Sequence, residues 1–168
     1  MVNLMTTIYP LYDEVPALSG KKFEDMIEED LKQMDISYNK QVQHYTGGHT
    51  VTGRRASYKV DFELSDKNLE CRNAGSTGAP TKFPEALCRL SWLEKKTGKR
   101  GWLVYNGEAY DNYVREDPVF KDMCEYFPEV TVMSHIDFLL YLHGLNNIQI
   151  GARLTKCREN LKKIMDRV

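Results

Sequence analysis

Two carboxylates and a guanidinium, Asp61, Glu70 and Arg72, stand in two short segments that alternate apolar and polar residues. In the first, Tyr58, Val60, Phe62 and Leu64 share one side of an extended chain, and Lys59, Asp61 and Glu63 share the other. In the second, Leu69 and Cys71 turn to the core and leave Glu70 and Arg72 opposite. The connection Ser65-Asp66-Lys67-Asn68 is short and turn-prone, so the two strands are predicted to pair as a hairpin. That pairing brings Asp61 near Glu70, with Arg72 further along the same face. Two carboxylates converging beside a cation repel one another until something neutralises them, and a hard divalent metal with oxygen ligands suits them. An exposed strand face bearing ordinary surface charges satisfies the same two strands.

The elements that must position these residues follow from the rest of the chain. A helix is predicted from Ser19, a suitable N-cap, to Met34, with Phe23, Met26, Ile27, Leu31 and Met34 as its buried stripe. Glu24 and Glu28 lie one turn apart and flank that stripe, while Asp25, Glu29 and Asp30 face towards water. From Ile36 to Val60 there is no acidic residue, and the run holds Lys40, His44, His49, Arg54, Arg55 and Lys59. Tyr38, Val42 and Tyr45 predict a strand leading into a loop centred on Gly47-Gly48. A local basic patch in a chain of net charge −1 points to a polyanion better than the net charge does. A solvated loop that lacks acids is the plainer reading, but the patch runs directly into the strand that carries Asp61. A second acid-free run, Cys71 to Pro84, holds Arg72 and Lys82 around the small-residue loop AGSTGAP.

Beyond that loop, Pro84 is placed in the first turn of a helix reaching Thr97, with Gly98 as its stop. RGWLVYNG is a nearly continuous apolar run, as expected of an inner strand covered on both faces. Asp117 to Tyr126 is predicted as a helix, Val130 to Ser134 as a strand, and SHIDFLLYLHGL as an apolar helix capped by Ser134. The final segment, Leu154 to Val168, is a basic amphipathic helix that can dock on the domain, pair with a second copy or rest on phosphates. The fold class is therefore α/β, a central mixed sheet flanked by helices in the order helix, three strands, helix, strand, helix, strand, helix. The domain spans 19–145, preceded by a lead-in over 1–18 and followed by the basic helix over 146–168.

Composition agrees with one globular domain: 168 residues, 42% hydrophobic and 28% charged, enough to build a core. Cys71, Cys88, Cys124 and Cys157 show neither a CxxC spacing nor a nearby histidine pattern, so they read as reduced thiols of a cytoplasmic protein. Neither a signal peptide nor an apolar run long enough to cross a membrane is visible in the sequence.

The order of elements resembles the PD-(D/E)XK nuclease superfamily, whose restriction-endonuclease-like core opens with a helix and a β-meander. The resemblance spans roughly Gly20 to Leu142 and rests on GKKFEDMIEEDL, VDFEL and LECRN. ECRNAGSTGAPTKFPEAL is similar to members that read approximately E-C-K-x-Q, a small-residue loop, then E-x-K-x-P. The resemblance implies a DNA endonuclease that hydrolyses phosphodiester bonds with Mg²⁺, for which Mn²⁺ can substitute. Asp61, Glu70 and the carbonyl of Cys71 would hold the ion, with Glu24 as an accessory acid or ligand. Arg72 and Lys82 would serve the scissile phosphate, and His49, Arg54, Arg55, Lys59 and Lys82 would contact double-stranded DNA. A homodimer is compatible with this plan. The chain departs from the family at Arg72, which replaces the motif lysine, at Ala74 in place of a glutamine, and at Val60 in place of the proline. An arginine stays protonated and cannot act as a general base, though it can hold a phosphate. A decayed nuclease that binds DNA or serves in assembly, and a nuclease for branched DNA or RNA, fit the same residues.

Overall fold

A computed structural model describes residues 20–73 and 79–143. The lead-in with Tyr9, Leu11 and Tyr12, the Ser19 cap, Ala74 and most of its small-residue loop, and the basic C-terminal helix with Cys157 lie outside the described residues. The described chain is an α/β fold built on a five-stranded mixed sheet in the order β1-β2-β3-β4-β5. Helix α1 (Gly20–Gln33) leads into β1 (Asn39–His49), β2 (Arg55–Glu63) and β3 (Lys67–Asn73). Helix α2 (Ala79–Thr97), β4 (Arg100–Asn106), α3 (Glu108–Glu116), α4 (Pro118–Tyr126), β5 (Thr131–Ser134) and α5 (His135–His143) complete it. β1, β2 and β3 form an antiparallel meander, whereas β4 and β5 join by parallel pairing through helical crossovers.

Alternation along the strands divides the core into two layers. Phe62, Leu64, Leu69, Cys71, Trp102 and Val104 pack with Phe23, Ile27 and Leu31 of α1 and Phe138 of α5. Leu103 and Tyr105, next to Trp102 and Val104 but pointing the other way, pack with Phe83, Leu87 and Leu90 of α2, Tyr110 of α3 and Phe120 of α4. Glu70 and Arg72 alternate with Leu69 and Cys71, which places them on the α2 side of the sheet. β4 is buried on both faces from Gly101 to Asn106, as its apolar run predicts. Gly101 lets α2 approach closely, since a Cβ there would meet Leu90 Cβ at 2.7 Å.

Several expectations are corrected. α1 buries Phe23, Ile27 and Leu31, but Met34 lies past its end and is exposed. Asp30, assigned to water, is buried and pairs with the buried His135 Nε2 at 3.0 Å, tying α1 to α5. Gly47-Gly48 lie within β1, where Gly47 (φ 88°) accompanies the register shift between Tyr45 and His49. The turn falls later, closed by Thr50 N–H to the Arg54 carbonyl (2.7 Å) and Gly53 N–H to the Thr50 carbonyl (2.8 Å). The β2–β3 connection is tighter than expected: Leu64 N–H donates to the Lys67 carbonyl at 2.8 Å, and β3 begins at Lys67.

α2 starts at Ala79, ahead of Pro84, which therefore lies inside the helix. The N–H that Pro84 lacks would have bonded only to residue 80, near the helix start, so the missing bond falls among the first turns. α3 was not anticipated at all. The Asp117 carboxylate caps α4, accepting from Phe120 N–H at 2.8 Å. Ser134 likewise accepts from Asp137 N–H at 3.2 Å to start α5. Cys71, Cys88 and Cys124 form no disulfide, and no helix of the described residues is long and apolar enough to cross a membrane.

Candidate active site

β2 and β3 pair at only two positions, Phe62 with Leu69 and Glu63 with Asn68. The next pair in that register would be Asp61 with Glu70, and there the strands part. Where a backbone carbonyl would have accepted, Asp61 Oδ2 accepts the Cys71 N–H at 2.7 Å. The divergence thus begins at the two carboxylates singled out in the sequence. Both are buried, Asp61 9% and Glu70 5% exposed.

Burial and crowding set their electrostatics. Burial, then the neighbouring Asp61 charge, raises the Glu70 carboxyl to about 7, although Arg72 pulls it down. Asp61 is raised by burial, against the Cys71 N–H and the Arg72 charge. Glu24 on α1 is raised by burial and then by Asp61. Three carboxylates on three elements are therefore held against their preference to ionise.

Arg72 spans the same place. Its Nη2 donates to Glu70 Oε1 at 2.5 Å and its Nη1 to the Cys71 carbonyl at 3.0 Å. Its Nε is buried with no acceptor among the described residues. Two of the three ligands that the family resemblance assigns to a metal are thus covered by the guanidinium. Arg89 of α2 adds a second positive charge acting on Glu70.

Gln41 of β1 was missed by sequence reasoning. Its Nε2 donates to Glu24 Oε2 at 2.9 Å and to Asp61 Oδ1 at 3.1 Å, joining α1 to β2. A neutral amide in an acid-free stretch gives no local signal of such a role. Lys82 lies exposed in the first turn of α2, on a helix where a loop was expected.

Four of the five predicted DNA-binding residues, all but Lys82 of α2, cluster on one projection. β3 pairs with β2 only at Phe62 and Glu63, so from His49 and Arg55 down to Val42 and Val60 the first two strands form a two-stranded ribbon. His49, Arg54, Arg55 and Lys59 are all exposed on it. The ribbon leans on α2 through an edge-to-face contact of Tyr58 with Trp92, 5.4 Å between centroids, and through Lys96 Nζ on the Tyr45 carbonyl. The Arg55 guanidinium lies over the Tyr45 ring, 4.1 Å from its centroid. Lys59 is near enough for its charge to act on Asp61. The ribbon thus runs, through β2, into the segment that carries the buried Asp61.

The donor set can be weighed against a divalent cation. Among the described residues no group of three or more His, Cys, Asp or Glu side chains is placed to hold a metal ion. The two carboxylates do fit Mg²⁺, which binds through one or two of them and keeps several waters. Burial raises both carboxyls, and Asp61 raises Glu70 further, so a cation placed beside them would favour their ionised forms.

No protein-family model matches the chain, and no curated protein matches it. Among solved structures it is similar to the small subunit of the heterodimeric restriction endonuclease R.BspD6I. That likeness has a TM-score of 0.42 at 15% identity and covers 97% of this chain and 98% of that one.

Proposed function

We propose that this protein is a Mg²⁺-dependent endonuclease of restriction-endonuclease-like type, hydrolysing phosphodiester bonds of double-stranded DNA. The parting of β2 and β3 at Asp61 and Glu70 supports this most directly, because it presents two buried, under-neutralised carboxylates beside a basic ribbon. Asp61 and Glu70 would hold the ion, with Glu24 close by through Gln41. A bound Mg²⁺ supplies a water of lowered pKa and polarises the phosphate oxygens, and Mn²⁺ is expected to substitute. Arg72, a planar donor whose buried Nε has no acceptor among the described residues, would turn from Glu70 and the Cys71 carbonyl to the scissile phosphate and stabilise its growing charge. Lys82 would add a second cation from the start of α2. His49, Arg54, Arg55 and Lys59 would hold the DNA backbone along the ribbon, since a two-stranded ribbon can enter a major groove.

One observation favours a second reading. Arg72 holds one oxygen of Glu70 and the Cys71 carbonyl, so the residue in the motif-lysine position could itself be the resident cation. The protein would then be a decayed nuclease that binds DNA. Nicking of supercoiled plasmid by purified protein with Mg²⁺ or Mn²⁺, beside an Asp61→Asn control, separates the two. Metal-dependent nicking that the control lacks supports the enzyme. An inactive wild type rescued by Arg72→Lys supports decay. Nicking of four-way junctions or RNA in preference to linear duplex would change the substrate class.

A further inference from the structure

Gln41 occupies a place its backbone does not favour. Its φ of 57° lies in the left-handed region, in the body of β1, where residues other than glycine are uncommon. Lys40 pairs with Phe62 and Val42 with Val60, so Gln41 faces Asp61 in the register between them. A glycine would meet the backbone requirement without strain, yet a long amide stands there. That amide spends both Nε2 hydrogens on carboxylates, one on Glu24 and one on Asp61. The opposite flip would aim the carbonyl oxygen at two carboxylates and is excluded by repulsion. Asp61 is thus fixed from two strands, through its Oδ2 by the β3 backbone and through its Oδ1 by Gln41. Glu24 reaches the site from α1 through the same amide.

We infer that Gln41 is a positioning residue that locks Glu24 and Asp61 into one ion-binding constellation, and that the left-handed kink in β1 exists to aim it. The inference rests on the reading of Asp61 and Glu70 as the metal site. A neutral donor suits the task, because it satisfies one lone pair on each carboxylate without cancelling the charge that attracts the ion. Groups that orient metal ligands commonly matter for affinity nearly as much as the ligands.

The test is the Mn²⁺ dissociation constant of the full chain, read by titration without DNA, beside the thermal midpoint. Gln41→Gly is expected to weaken Mn²⁺ binding about 10- to 100-fold while leaving the midpoint unchanged or higher, since glycine relieves the kink. Gln41→Asn, one methylene shorter and unable to span both carboxylates, should lose affinity similarly and serves if the glycine variant folds poorly. In a Glu24→Gln background the Gln41→Gly effect should shrink, because the two act as a unit. Wild-type Mn²⁺ affinity in both Gln41 variants, with Asp61→Asn abolishing binding, would overturn this inference and leave the metal site standing. Unchanged affinity in Asp61→Asn as well would remove the metal site itself. A loss that tracks the fall in midpoint and ignores Glu24 would reduce Gln41 to a structural role and also overturn the proposal.

Discussion

Glu24 and Glu28 lie one turn apart on α1 and are held in opposite electrostatic states. Glu28 accepts from Lys40 Nζ at 2.7 Å and Tyr38 Oη at 2.6 Å, and these bonds, Lys40 first, lower its carboxyl to about 2. Glu24, joined by Gln41 to Asp61, is raised by burial and then by that neighbour. The first carboxylate has a cation and a phenol of its own and pins α1 to the start of β1. The second belongs to a group whose charge the protein leaves incompletely answered. Sequence spacing makes the two glutamates equivalent; only the elements opposite them tell a fastener from a site. Carboxylates matched by the chain stabilise it, whereas those crowded together cost stability and are free to serve a ligand.

The largest effect should fall on catalysis. Asp61→Asn and Glu70→Gln are each expected to lower Mg²⁺-dependent nicking by on the order of 10³-fold with the fold and most DNA affinity kept. Glu24→Ala should cost less, because Glu24 reaches the site through Gln41. If both strand variants nick as the wild type does, the contrast with Glu28 has no functional meaning.

Next comes Arg72, the cation beside Glu70. Arg72→Lys should remain active, and Lys82→Ala should cost more in the wild type than in the Arg72→Lys background, where the new lysine can substitute. That non-additivity marks two residues sharing one task. Full activity of Lys82→Ala in both backgrounds would take Lys82 out of the site and leave the phosphate to Arg72.

The ribbon should show a smaller effect, on binding alone. Neutralising Arg54 and Arg55 together should weaken DNA affinity and make it less sensitive to salt, by a slope of roughly 0.9 for each phosphate that the ribbon no longer neutralises. Equal slopes for wild type and variant would show that the ribbon tip does not touch phosphate.

Glu28 should give the smallest effect, and on stability alone. Glu28→Gln is expected to cost about 1 kcal/mol at neutral pH, since a neutral amide accepts more weakly from Lys40 and Tyr38. The Glu28 contribution is present above its ordinary value of 4.5 and is lost as pH falls towards 2. Acid unfolding of Glu28→Gln should therefore lack that part of the wild-type pH dependence, with nicking unchanged. Lost nicking in this variant would blur the line between fastener and site.

The convergence of Asp61 and Glu70 was legible because period-two alternation assigns each residue of a strand to a face, and a short turn fixes which faces meet. The buried stripe of α1 and the cap at Ser134 were legible for the same local reasons. What escaped notice depends on partners distant in the chain. Asp30 reads as solvated until His135 arrives from α5 to pair with it. Gly47-Gly48 reads as a turn, but the strand absorbs it at a register shift and the reversal forms at residues 50–53. The parting of β2 from β3, and the contacts of Gln41 with Glu24 and Asp61, involve elements distant in the chain. No window of a few residues contains them. Arg72 was read as a phosphate-holding residue, and its hold on Glu70 and the Cys71 carbonyl depends on the splay that its own strand cannot announce.

Thermal unfolding at pH 8, with chelator and then with millimolar Mg²⁺, tests most directly whether the Asp61–Glu70 group is charge awaiting a cation. With its pKa raised from 4.5 to about 7, Glu70 lends full stability below 4.5 and loses it as pH rises through about 7. In chelator at pH 8, Glu70→Gln should therefore melt above the wild type, by on the order of 1 kcal/mol. Mg²⁺ should then raise the wild-type midpoint by binding the folded state and leave Glu70→Gln unmoved. A wild type indifferent to Mg²⁺ and no less stable than Glu70→Gln in chelator would contradict the account: the carboxylates would already be neutralised by Arg72, and no metal would be called for.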